Sequence, residues 1–479
     1  MILAVGAVVV HGYHPGVEDA EIYLPGIKKA IDPALYPHNA AFFASHAHLT
    51  LFPNLIAASA RLSHVQLDWL LLGWHLFSIF LLLLGCWHIG RIAFNDDLGA
   101  WGGVALVASL LTIPVAGTAL YVMDEYLTTR SFSTPAVLFI VANIAERKFG
   151  RALAWSAFTA VIHPLMVVFG ICYAALLLLS EGRTTLPTDR RQAAFTGVAV
   201  LLPLGLFPPV TDAYREVLNS RPYFFLLRWQ WYEWLGIFAP LALLWWFRDI
   251  GRKQKLPSLE KMSSALAIFG VVFFVIGLAV TIPVRFANFA ELQPMRSLHL
   301  VYILLFVLGG GLLARSVLGH HAWRWALLFV PLCSGMFYVQ RQLFPNTPHL
   351  ELPGRPVSND WVKGFLWVRQ NTPRDAYFAL DPEHMAIPGQ DQHGFRAIAE
   401  RSMLADRVKD SGAVTMFPAL AQTWQTQVRA QEGWKTFRLA DFRRLRQIFG
   451  VDWVVVQQPG VEGLLCPYSN STLQVCRIE

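Results

Sequence analysis

Residues 67–91, LDWLLLGWHLFSIFLLLLGCWHIGR, decide the class of this chain. After Asp68 the run carries no formal charge until Arg91. It exceeds the roughly 20 apolar residues that a helix needs to cross the hydrocarbon of a bilayer. Apolar runs recur outward from it at 99–121, 133–145, 152–180, 194–210, 231–247, 263–283, 298–315 and 322–340. His163-Pro164 breaks the 152–180 run, because proline removes a backbone donor and ends or kinks a helix there. With residues 1–10, the pattern predicts about eleven membrane segments, some of them short. MILAVGAVVV at 1–10 is too short to span, so it reads as the outer part of a first helix, or the natural start lies upstream.

Composition agrees. The chain has 479 residues, 55% of them hydrophobic and 15% charged, against roughly 25% charged in ordinary soluble proteins. Seventeen Trp and 33 Phe suit membrane interfaces. The net charge of +7 lies almost wholly before residue 345. Loop positives that orient membrane helices produce such an excess, so it does not indicate nucleic acid. Residues 345–479 differ, with scattered charge, a strand-like run at Trp453–Val456 and a helical run at 435–449. They read as a soluble α/β domain large enough for its own core, following a transmembrane domain at 1–344.

Short loops carry Arg91, Arg147, Lys148, Arg151, Arg183, Arg190, Arg191, Arg248, Arg252, Lys253, Lys255, Lys261, Arg315 and Arg324. With the His163-Pro164 break counted as a hairpin, all fall on one side, which the positive-inside rule makes cytoplasmic. The N-terminus is then cytoplasmic. The long first loop at 14–65, the 124–130 stretch, the 284–297 loop and the C-terminal domain lie outside. One long helix over 152–180 would move every later loop to the opposite side. Cys466 and Cys476 lie in the outer domain, where oxidising conditions permit a disulfide; two free thiols are the alternative.

The first outer loop opens with HGYHPGVEDAEIY at 11–23, which holds Glu18, Asp19 and Glu21. A second acidic pair, Asp124/Glu125, shares the outer face with Arg130, His163 and Arg296. A carboxylate can take a proton from an acceptor hydroxyl, and a guanidinium can bind a phosphate through two parallel hydrogen bonds. Acids and arginines at a membrane surface therefore suit chemistry on a lipid-linked phosphosugar. Each residue also has a plainer reading. Asp19 would cap a loop helix, and Glu18 and Glu21 would be structural or solvated. Asp124 and Glu125 would cap a helix beginning near 126, Arg130 and Arg296 would anchor at headgroups, and His163 would serve its turn. His11, His14, His46 and His48 show no metal-site spacing, so a divalent cation is open but not indicated.

The chain resembles the GT-C superfamily of polytopic membrane glycosyltransferases, in particular bacterial members related to the mannosyltransferase and oligosaccharyltransferase types. The residues that carry the resemblance are GYHPGVEDAEIY at 12–23, DPALYP at 32–37, YLTTRSFSTP at 126–135, His163-Pro164, LQPMRSLHL at 292–300 and WVRQNTPRDAYF at 367–378. It implies an integral enzyme of the bacterial inner membrane. The enzyme would transfer a sugar from a polyprenyl-phosphate donor to an acceptor on the extracytoplasmic face, by inverting displacement. In the family an acid of the first outer loop is the catalytic acid/base or helps hold a metal; Asp19 takes that place first and Glu18 second. Asp124 and Glu125, with Glu21, match the supporting acids. Arg296, then Arg130, match the lipid-phosphate contact, with His163 beside them. The alternative is a non-catalytic scaffold or transporter of the same architecture. A transporter would carry mid-membrane charges or inverted repeats, whereas the acids here cluster in outer loops.

Overall fold

The computed structural model describes residues 1–181, 211–282, 289 and 291–479. The expected span at 194–210, residues 284–288 and 290 of the 284–297 loop, and Arg183, Arg190 and Arg191 lie outside the described residues. Within them, four helices are long and apolar enough to cross a membrane: Leu67–Phe94, Pro257–Thr281, Pro294–Leu318 and Ala322–Leu343. Shorter apolar helices run over Ile2–His11, Phe149–Ile162 and Pro164–Ser180. The last two meet at the His163-Pro164 break, where the sequence places a hairpin.

The 99–121 run is not a span. Its helix, Asp97–Ser109, ends early, and Pro114 pairs with Tyr121 in an isolated bridge. Pro114 lacks the donor that a continuing helix needs. Gly117 sits so close under the Trp229 ring that a Cβ there would lie 2.5 Å from it. Hydropathy stays high through this segment, but its backbone turns.

Burial separates inner helices from outer ones. The most apolar window of Pro294–Leu318 is 89% buried, and that of Ala322–Leu343 is 0% buried. An apolar face left open on that scale would be costly in water and suits lipid. The inner helix packs on Asp97–Ser109 backbone to backbone, since a Cβ on Gly102 would meet the Gly310 carbonyl oxygen. Small residues at such crossings let membrane helices approach closely. Thr129–Ala145 is also an inner helix, buried along nearly all its length.

The 14–65 loop is ordered as three helices, Ala20–Ile31, Ala41–His48 and Phe52–Ser63. Val17 and apolar side chains of the first and third of these helices, including Tyr23, Ile27, Phe52 and Ile56, form one cluster with Tyr126, Leu127 and Phe132, and with Phe344 and Ala397. The first loop therefore fills the seam between the Thr129–Ala145 helix and the tail. Residues after 345 contain a five-stranded sheet of β1 Tyr377–Ala379, β2 Ser402–Met403, β3 Trp453–Gln457, β4 Leu465–Ser469 and β5 Leu473–Arg477, in the order β2-β1-β3-β5-β4. The first two neighbour pairs are parallel and the last two antiparallel. Cys466 and Cys476 are bonded and tie β4 to β5. Backbone bridges from Tyr13 to Leu350 and from Val17 to His393 clip the tail onto the first loop.

Candidate functional site

Asp19 occupies the N-cap position of the Ala20–Ile31 helix, yet its side chain makes no cap hydrogen bond. Glu18 before it adopts φ +54°, the left-handed region that costs a non-glycine residue about 1–2 kcal/mol. Two bonds hold this kink. Glu18 N–H donates to the Gln392 carbonyl at 2.9 Å, and Asp19 N–H donates to the Tyr126 hydroxyl at 3.0 Å. The kink frees the Asp19 carboxylate from capping and turns it toward two cations. Lys409 Nζ of the tail lies 3.1 Å from one oxygen and also binds Glu18. Arg130 Nη2 lies 3.4 Å from the other.

Arg130 is fixed in turn. Its Nη2 and Nε donate to Asp124 at 2.9 Å and 3.2 Å, and Thr128 Oγ1 donates to the same carboxylate at 3.0 Å. Asp124 therefore does not cap a helix near 126; that helix starts at Thr129 with Thr128 as N-cap. The carboxylates and cations line a cavity of about 400 Å³, shared with Tyr23, His46, Tyr121, Tyr126, Arg221, Tyr223, Gln293 and Arg296. Asp19 is 34% exposed into it, whereas Asp124 and Arg130 are closely buried. Among the described residues Arg296 makes no ion pair, and its Nε is buried without a hydrogen-bond partner. Arg221 Nε is likewise unpartnered, while its Nη2 donates to Ser411 Oγ at 2.6 Å.

Electrostatics follows from this packing. Burial alone would raise the Asp19 carboxyl, but the Lys409 ammonium and the Arg130 guanidinium outweigh it and hold the group well below the usual carboxylate range. Burial alone would lower Lys409, and Asp19 and Glu18 raise it instead. Burial pushes Glu125 up to about 8.

Of the residues singled out in the sequence, Glu18, Asp19, Asp124, Arg130 and Arg296 share the cavity. Glu21, Glu125 and His163 are not among its lining residues. Glu21 is fully buried on another side of its helix, where its oxygens accept N–H bonds from Arg396 at 3.0 Å and Ala397 at 2.9 Å. Asp381 and His384 of the tail bond locally to each other's segment. Sequence reasoning missed Lys409 and Arg221, because neither sits in a local pattern that points to the site.

A divalent ion between the first-loop carboxylates does not fit this donor set. The Lys409 ammonium already bridges Glu18 and Asp19, and Arg130 takes both Asp124 oxygens. Among the described residues no group of three or more His, Cys, Asp or Glu side chains is arranged to hold a metal.

No model of a known protein family matches the chain, and no curated protein does. Solved structures are similar in fold. They include the Archaeoglobus fulgidus oligosaccharyltransferase with zinc and sulfate, at 14% identity and TM-score 0.45, covering 95% of this chain and 67% of that one. Its apo form matches at 12% identity and TM-score 0.47, covering 95% and 69%. The archaeal oligosaccharyltransferase AglB from the same organism, solved with an inhibitory peptide and a dolichol-phosphate, matches at 12% and TM-score 0.48, covering 95% and 68%. Similarity at that level gives no residue of this chain a role.

Proposed function

We propose that the protein is a glycosyltransferase of the bacterial inner membrane, with 1–344 as its membrane domain and 345–479 as an extracytoplasmic domain. It takes a sugar from a polyprenyl-phosphate carrier and passes it to an acceptor outside the membrane. One observation carries this reading. The Asp19 carboxylate, a third exposed, faces a polar cavity that also holds Arg130 and Arg296, the latter without an ion pair among the described residues. A single cavity then offers a proton acceptor and a cation for a leaving phosphate, the two things this transfer needs.

In the proposed reaction the acceptor hydroxyl oxygen bonds to the anomeric carbon as the bond from that carbon to the phosphate oxygen breaks. The phosphate leaves on its lipid, next to Arg296, and configuration inverts. The acceptor proton passes to Asp19. A carboxylate paired with two cations is a weak base, so it takes the proton late, once bond formation has made the acceptor oxygen acidic. Arg130 fixes Asp19 against Asp124 throughout.

The test is transfer from radiolabelled polyprenyl-phosphate sugars in membranes holding wild type or Asp19→Asn. The expected loss in the variant is about 100-fold or more, at equal abundance and unchanged detergent-solubilised elution. Equal transfer in both would remove Asp19 from the mechanism.

A further inference from the structure

The first-loop acids lie next to each other in sequence and both point into the cavity, which places two negative charges at one spot. Such a pair would ordinarily attract a divalent cation, since carboxylate oxygens are the ligands that Mg²⁺ and Ca²⁺ prefer. Here the spot is taken by a side chain from far along the chain. Lys409 lies 390 residues from Asp19, and its ammonium touches both carboxylates.

Lys409 is placed by the tail, not by chance of its long stem. Its own backbone N–H donates to the Asp406 carboxylate, and the N–H of Asp406 donates back to Asp410 Oδ2 at 2.9 Å. Arg396 grips Asp410 through two bonds at 2.9 Å and 2.7 Å. Arg396 also lies 3.5 Å from Glu21, two residues past Asp19. One buried arginine therefore ties down both the segment that delivers the ammonium and the helix that presents the carboxylate.

We propose that Lys409 is a positioning residue that serves as the site's own cation, between Glu18 and Asp19 in the place a divalent ion would take, so that the site works without added metal. The proposal rests on reading this cavity as the transfer site, but its binding test stands apart from transfer. A divalent ion entering beside the ammonium would meet its full repulsion at contact distance. With the ammonium removed, four carboxylate oxygens from adjacent residues would face one another without compensation from the tail.

The experiment uses the full chain in detergent, stripped with EDTA, freed of chelator and titrated with Mn²⁺, with free Mn²⁺ counted by electron paramagnetic resonance. Wild type is expected to show no saturable binding below about 1 mM and no change in melting temperature with Mn²⁺ or EDTA. Lys409→Met is expected to bind one Mn²⁺ at least roughly tenfold more tightly than wild type. Lys409→Arg, which keeps a cation there, is expected to behave as wild type. Saturable binding by wild type that Asp19→Asn abolishes would overturn the proposal, as would a folded Lys409→Met that binds no better than wild type. If Lys409→Met does not fold, the wild-type titration and Lys409→Arg still decide. Wherever transfer is detected, EDTA is expected to leave its rate unchanged; a rate lost to EDTA and restored by Mn²⁺ would also overturn it. Absence of transfer together with absent Mn²⁺ binding would fail the transfer reading and leave the cation assignment standing.

Discussion

Two acid–cation clusters lie on either side of the start of the Ala20–Ile31 helix, and they differ in their access to a cavity and in the cations within reach. The Asp19–Lys409–Arg130 cluster opens into a cavity. The Glu21–Arg396–Asp406–Asp410 cluster is sealed, with every member at most 1% exposed. Asp19 and Glu21 are two residues apart and carry the same chemistry, but their carboxyls move in opposite directions. Burial pushes Glu21 up to about 8 against the pull of Arg396, while Lys409 and Arg130 hold Asp19 below the ordinary range despite burial. Residue type alone does not separate a binding site from a structural lock. Access to a cavity and the number of cations within reach do.

The largest effect is expected in the sealed cluster. Arg396→Met leaves three buried carboxylates without their shared cation, a class of change that costs about 3–5 kcal/mol. The expected outcome is loss of most folded protein, read as the monodisperse fraction on size exclusion and as a lowered melting temperature. A variant that elutes and melts like wild type would remove the distinction between lock and site.

In the open cluster the expected effect falls on rate. Arg130 reaches Asp124 and Asp19 at once with its planar fork; a lysine ammonium cannot span both in that geometry. Arg130→Lys keeps the charge and loses the bridge, at about 1.5–3 kcal/mol for charge-assisted bonds. We expect kcat for sugar transfer to fall roughly 10- to 100-fold, with melting temperature shifted far less than in Arg396→Met. A variant that loses folding instead would place Arg130 with the structural lock.

The sequence makes part of this contrast legible. Apolar length identifies Leu67–Phe94 as a spanning helix, and the proline at 164 marks the hairpin between Phe149–Ile162 and Pro164–Glu181. The sequence also singles out Glu18, Asp19, Asp124, Arg130 and Arg296, which share one cavity. What hydropathy hides is where an apolar run turns, as at Pro114 and Gly117, because Leu110 and Leu111 continue the pattern past the end of the helix at Ser109. That Glu21 points away from Asp19 follows from helical geometry, since two residues apart is about 200° around the axis. It becomes readable only once the helix start at Ala20 is fixed. Lys409 could not be read at all: no local motif joins it to a carboxylate 390 residues earlier.

A third cluster sharpens the comparison, because its two imidazoles are fully buried while its carboxylate is 18% exposed at the wall of another cavity. Glu351 receives His14 Nδ1 at 2.8 Å and His393 Nε2 at 3.3 Å, and both imidazoles are fully buried. Burial alone would raise Glu351; His393 and the hydrogen bonds from both histidines bring it down to about 2. Burial alone would lower His393, and the Glu351 carboxylate raises it instead, with Asp391 adding to the effect. The raised imidazole contributes stability that is fully present below its ordinary value near 6.5 and is lost as pH climbs through the raised value. The lowered carboxyl contributes stability present above its ordinary value and lost as pH falls toward 2. Other raised acids, Glu21 among them, also weaken the fold as pH rises, so the readout is the difference in melting temperature between wild type and Glu351→Gln. That difference is expected to be greatest near pH 5–6, about 2–4 °C, and to shrink as pH climbs through the raised His393 value. A difference that does not change with pH above 5 would mean that His393 carries no charge against Glu351, and that hydrogen bonds alone hold this cluster, unlike the ion-paired one around Arg396.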